Sequence, residues 1–258
     1  VIDMLTLMKQ EYYKAIKQNR LYIWIALSFI FPLAILAIFK SQRTVNAITN
    51  FGQGTIYVFM AGIIITALSV SQEFGFGTIR PLLSRRFNRG MVFTSKLLLN
   101  FSVYISLFVA AFLGTMLGKI IFAPKINLAD KINYVGTGWQ NMGLTALTTL
   151  LQMIFIAALV LLITNLVKNS GAAIGLGVVM IVGTPILSSI SSLLINMAPI
   201  LKWNPFNIFL GVAVYRQMPA HLFKEMVHMS EGAVFTAYAV YIILMYGIAY
   251  FIFKKRSV

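Results

Sequence analysis

Six long stretches of this chain contain no Asp, Glu, Lys or Arg, and they constrain its fold more than any other feature. They cover residues 21–39, 44–72, 97–118, 132–167, 169–201 and 232–253. All 27 charged residues, 21 Lys and Arg with 6 Asp and Glu, lie outside them. Each stretch is long enough to cross about 30 Å of hydrocarbon as a helix. Strand alternation is absent, and lipid offers no partner for open backbone groups. The sequence therefore predicts an all-α polytopic membrane protein. Its six transmembrane helices are expected at 21–39, 55–72, 97–118, 144–167, 171–194 and 233–253, in one domain over 1–258. Only 10% of the residues are charged, against about 25% in soluble domains. That contrast argues against a soluble globular chain and against disorder.

The loops orient the bundle. An even number of spans puts both termini on one side. That side would hold 13 of the Lys and Arg residues and the other 8, so the positive-inside rule assigns both termini to the cytoplasm. The net charge of +15 reads as headgroup and loop charge rather than nucleic-acid binding. The first 20 residues are polar and basic and are not expected to form a signal peptide. The chain has no cysteine, which excludes disulfides, thiolate metal sites and cysteine catalysis.

Charge-free spans also bear on energy. Proton- and sodium-driven pumps usually carry ionisable groups at bilayer depth, and voltage sensors need Arg there. A pump built on this sequence would draw its energy from a partner outside the bilayer. Membrane enzymes want His, Asp or Cys within the spans, so no catalytic residue and no enzyme activity is expected here. The nearest approach to a phosphate-binding loop, Gly114 to Ile120, is one residue short and lacks the Ser or Thr that would hold Mg²⁺. His221, Glu225 and His228 share a helical face, without a fourth ligand, and no metal site is assigned to them.

The segment between spans 2 and 3 carries the best motif. Glu73 closes span 2, and Gly75 and Gly77 permit a sharp turn. Thr78 can cap a short helix over 79–89 that Gly90 stops. Ile79, Leu82, Leu83 and Phe87 form one apolar face; Arg80, Ser84, Arg85, Asn88 and Arg89 form the other. Such a helix either anchors on lipid headgroups or docks in a groove of a cytoplasmic partner. A second amphipathic segment spans 4–20, with Leu5, Met8, Tyr12, Ala15 and Ile16 facing away from Lys9, Lys14, Lys17 and Arg20.

These residues resemble the membrane subunit of ATP-binding-cassette exporters of the type-2 permease family. The resemblance rests on Glu73, the turn Gly77-Thr78-Ile79, the core Leu82-Leu83-Ser84-Arg85, and Arg89 ahead of Lys96. The sequence departs from the family at Arg86-Phe87, where a Pro often follows the Ser-Arg pair. The resemblance implies that 78–90 is a coupling helix docking on a separate ATPase, with Arg80, Leu82, Leu83, Arg85 and Arg89 at the contact. It implies that 4–20 is an interfacial helix cupping that ATPase. It implies two permeases, expected to be identical, with two ATPase subunits that hold the ATP and Mg²⁺, in a bacterial plasma membrane. Small permeases of this kind export peptides, toxins or drugs, or confer immunity to antimicrobial peptides. The alternatives are a sodium exporter of the same build and a non-transporting scaffold whose basic helix binds lipid.

Three further patterns have two readings each. Thr145, Thr148, Thr149 and Gln152 form a polar stripe on span 4, and Thr184, Ser188 and Ser191 a similar one on span 5. They either line a path for amphipathic cargo or bond between helices and to their own backbone. Gly171 and Gly175 are spaced for close helix approach, within the chain or between two copies. Pro185 is expected to kink span 5 or to separate it from a short outer helix. Residues 195–232 are too apolar for a free loop and are expected to form helices packed on the outer face, as a lid or an exit gate.

Overall fold

A computed structural model describes residues 2–17, 20–75, 87–132, 136–167 and 170–255. Nearly all of them are helical. The long helices are α1 (Ile2–Lys17), α2 (Arg20–Ile38), α4 (Gly54–Gly75), α5 (Arg89–Phe122), α6 (Gly138–Val167), α7 (Ser170–Met197) and α10 (Glu231–Lys255). Short elements join them: α3 (Val45–Thr49), a two-stranded antiparallel ribbon of Lys131–Ile132 with Gly136–Thr137, α8 (Pro205–Ala213) and α9 (Ala220–Val227). Five helices among the described residues, at Leu21–Ile38, Phe51–Ser69, Arg89–Phe122, Gly138–Leu166 and Glu231–Lys255, are long and apolar enough to cross a membrane.

Helices α4, α5 and α6 form the centre, with α2 laid along α5, α10 along α6, and α7 against α4 and α6. Val58 and Ala61 of α4, Val103, Leu107 and Ala111 of α5, and Met153 and Ala157 of α6 make the main core. The side of α5 turned away from that core carries exposed Leu98, Phe101, Ile105 and Val109, the surface a helix presents to lipid. At one end, here the near end, α1, the start of α5 and the end of α10 meet. There Leu7, Phe87, Val92, Phe93, Leu161, Ala249 and Phe253 form a second core. Leu36, Ile48, Ala123 and Leu128 close the far end.

Local chemistry sets several boundaries. Asn88 accepts a hydrogen bond from Met91 N at 2.8 Å and caps α5, so this helix starts at Arg89 rather than 97. Phe87 and Asn88 are accordingly not helical, and the expected helix over 79–89 does not extend to them. Gly90 is the second residue of α5 and stops nothing. Its glycine gives room to the Tyr250 hydroxyl, which would lie 3.1 Å from an added Cβ. Arg43 caps α2, donating to the carbonyls of Leu36 at 2.8 Å and Ala37 at 2.9 Å. Helix α7 runs unbroken through Pro185, so that proline neither ends nor divides the helix.

The segment over 195–232 is helical, as its composition predicts, but α8 is not confined to an outer face. It inserts beside α6, α7 and α10, where Ile208 and Val212 share a core with Phe155, Tyr238 and Met245. Asn207 holds this wedge. It is buried, and its Nδ2 donates to the carbonyls of Lys202 at 2.8 Å and Val227 at 2.7 Å. Replacing Asn207 with leucine strands both carbonyls and costs about 2 kcal/mol. Limited proteolysis checks this: cleavage between α8 and α10 should accelerate in the variant while the long helices stay protected.

Candidate functional site

The expected contact residues Gly77, Thr78, Ile79, Arg80, Leu82, Leu83, Ser84 and Arg85 lie outside the described residues, as does the side chain of Glu73. What is described is the frame on either side of them. Helix α4 ends at Gly75. On the other side Phe87 is buried in the near-end core, Asn88 caps α5, and Arg89 Nη1 donates to the Lys254 carbonyl at 2.6 Å. That bond fastens the start of α5 to the end of α10.

Beside this frame α1 packs on the first half of α5. Its inward face differs from the one the sequence suggested. Leu7 and Glu11 are buried, whereas Leu5, Tyr13 and Ile16 are exposed. Of the expected apolar face, Tyr12 and Ala15 pack on the main core while Leu5 and Ile16 do not, so the face is rotated in part. The physical reason is an ion pair. Glu11 Oε2 lies 3.0 Å from Lys96 Nζ, with the side chains only 4% and 3% exposed. A buried charge is tolerated only when paired, so Glu11 must face α5. Its other oxygen lies 2.9 Å from Lys14 Nζ, on a side chain 40% exposed. Tyr12 reaches the same helix through a hydrogen bond from its hydroxyl to Ser102 Oγ. Lys9 and Lys17 are exposed, Lys17 lying 5.7 Å from the Tyr13 ring centroid. Helix α1 covers Ile2–Lys17 and α2 covers Arg20–Ile38, and residues 18 and 19 of the expected 4–20 segment lie outside the described residues.

The polar row continues along α5. Lys96, Asn100 and Tyr104 are four residues apart, hence on one face, and all three are buried. Asn100 Nδ2 donates to Ser69 Oγ of α4 at 3.1 Å. The Tyr104 and Thr66 hydroxyls bond to one another, and Thr66 also donates to the Gly62 carbonyl at 2.7 Å. Sequence reading missed Glu11, Asn100, Thr66 and Ser69. It used Lys96 in the charge count and the family motif, although its four-residue spacing to Asn100 and Tyr104 was a visible signal.

The other expected residues fall as follows. Thr145, Thr148, Thr149 and Gln152 are buried inside the chain, and Thr148 donates to the Thr145 carbonyl at 3.2 Å. Ser191 is buried and accepts from Asn204 Nδ2 at 2.7 Å. The side chains of Thr184 and Ser188 are outside the described residues. Gly171 and Gly175 are exposed, and nothing lies within 4 Å of a Cβ added at Gly175. Within the chain, the close approach occurs instead at Gly114 and Gly118, against Phe29 and Leu36 of α2. His221 is exposed and His228 ends α9 in a left-handed conformation. Among the described residues no three of His, Cys, Asp and Glu gather to hold a metal.

Two similar proteins come from Bacillus subtilis (strain 168). An uncharacterized membrane protein, YdbK, is 27% identical over 205 residues, covering 76% of this chain and 76% of its own length. An uncharacterized protein, YhcI, is 26% identical over 223 residues, covering 82% of this chain and 68% of its own. With its apolar helices and this likeness, the chain is a membrane protein. A family model described as "Protein of unknown function (DUF2705)" matches residues 4–258, and the chain belongs to that family.

Proposed function

We propose that this chain is the transmembrane subunit of an ATP-driven exporter in the plasma membrane of a bacterium. Helix α7, with no charged residue between 170 and 197, is the sixth span of this reading, and the near end is its cytoplasmic face. The carrying observation is the frame around 76–86. Residues 76–86, amphipathic and basic in sequence, fall between α4 and three fixed points: buried Phe87, the Asn88 cap and the Arg89 bond to the Lys254 carbonyl. A segment held this way can pass a push from a cytoplasmic ATPase into α5 and α10 together. Nucleotide and Mg²⁺ belong to that partner, in two copies, serving two permeases by alternating access. The six charge-free stretches suit an amphipathic or apolar cargo, such as a peptide, toxin or drug.

The test is a mild-detergent pull-down from the native host, read by mass spectrometry. A protein with a phosphate-binding loop should co-elute in stoichiometric amount. Replacing Leu82 and Leu83 together with glutamate should remove it while the permease stays in the membrane. A crosslinked pull-down that recovers no ATPase overturns the reading and leaves a lipid-binding scaffold.

A further inference from the structure

Helix α5 sorts its side chains sharply. Its lipid-facing side is mostly apolar, with the exposed Ser106 hydroxyl bonded to the Ser102 carbonyl, whereas Lys96, Asn100 and Tyr104 form one interior row over three successive turns. Each meets a polar partner on another helix: Glu11 of α1, Ser69 of α4 and Thr66 of α4. From Lys96 to Tyr104 the row climbs about 12 Å into the bundle. It ends at a small cavity lined by Phe59, Gly62, Ile63, Tyr104, Met153 and Ile156, among others. Lys96 and Lys119 are separated by about 35 Å of helix, close to a hydrocarbon thickness, so the ion pair marks the membrane boundary.

Asn100 is the informative member. It is 3% exposed, and while its Nδ2 is paired, its Oδ1 receives no hydrogen bond from the described residues. Buried carbonyls without a protein donor are rare, and ordered water is what normally completes them. The groups on both sides of Asn100 along the row are themselves polar, so water there finds several partners.

We propose that this row is a water-filled inlet. It admits water from the near end past the Glu11–Lys96 pair to the Tyr104–Thr66 pair at mid-bundle. It is too narrow for a peptide or drug and is separate from any cargo path. The proposal stands on α1, α4 and α5 alone and holds whether or not an ATPase binds.

The cysteine-free sequence supplies the test, because one introduced cysteine is the only thiol. Full-length Asn100→Cys, Ser69→Cys and Val103→Cys are placed in lipid nanodiscs and treated with 2-aminoethyl methanethiosulfonate. Val103 is the control, buried in the apolar core on the same helix. Thiols in the inlet should react at least about ten times faster than the control, since thiolate formation and access both need water. Ser69→Cys is nearly isosteric and carries the test if Asn100→Cys does not fold. Rates at 69 and 100 as slow as at 103 overturn the inlet and leave a dry seam of interhelical hydrogen bonds.

Discussion

Replacing Lys96 with methionine destabilises the folded chain by about 3 kcal/mol, because it leaves a buried carboxylate without its main partner. Glu11 is 4% exposed, and among the described residues a second cation, Lys14, lies 2.9 Å from it. Lys14 is 40% exposed, so solvent screens that contact and it retains under about 1 kcal/mol. Water reaching the pair through the inlet holds the loss near the lower end of the range for broken buried pairs. Thermal unfolding of the solubilised protein checks the figure, with a fall in Tm of about 6–12 °C expected for a chain of this length. The decisive companion is the double variant Glu11→Leu with Lys96→Met. Exchanging a whole buried pair for apolar residues is close to neutral, so the double should recover most of the loss. Single variants with unchanged Tm would show that the pair is solvated in the protein.

The same pair explains where sequence reading succeeded and where it stopped. Lipid forbids unpaired charge, so the charge-free stretches located α2, α4, α5, α6, α7 and α10 with errors at their ends only. The start of α5 was missed by eight residues, since Lys96 reads as the edge of a span. A lysine can sit inside the helix because Glu11 neutralises it, and Glu11 is 85 positions away. No local pattern carries that information. The face of α1 was misassigned in part for the same reason, as hydrophobic periodicity has no place for a buried glutamate. Gly90 read as a helix stop because glycine often ends helices, yet its role is set by Tyr250 on another helix. The segment 78–90 was legible as amphipathic from its own residues, but only the family resemblance gave it a partner.

Gly114→Ala should be the most damaging small substitution in the chain. An added Cβ would lie 2.0 Å from the Phe29 carbonyl oxygen and 2.9 Å from its carbon. Those are backbone atoms of α2, and no rotamer change moves them aside, so the whole helix must withdraw from α5. The seam it would open includes the hydrogen bond from Ser28 Oγ to the Leu107 carbonyl, 2.8 Å long. Overpacking of this kind costs up to about 3 kcal/mol, occasionally more, partly offset by the roughly 0.5–1 kcal/mol that alanine gains over glycine within a helix. The net loss expected is about 2 kcal/mol. One turn on, Gly118→Ala meets Leu36 Cδ1 at 2.9 Å, a methyl that can rotate, so its clash and its propensity gain nearly cancel. Gly175→Ala meets nothing within 4 Å and should gain up to about 1 kcal/mol from helix propensity. Thermal unfolding of the three variants should therefore rank Gly114→Ala below Gly118→Ala and Gly175→Ala at or above the parent. A Gly175→Ala variant as unstable as Gly114→Ala would carry its own meaning. No described residue lies within 4 Å of a Cβ added there, and a second copy pressed against α7 would account for such a clash.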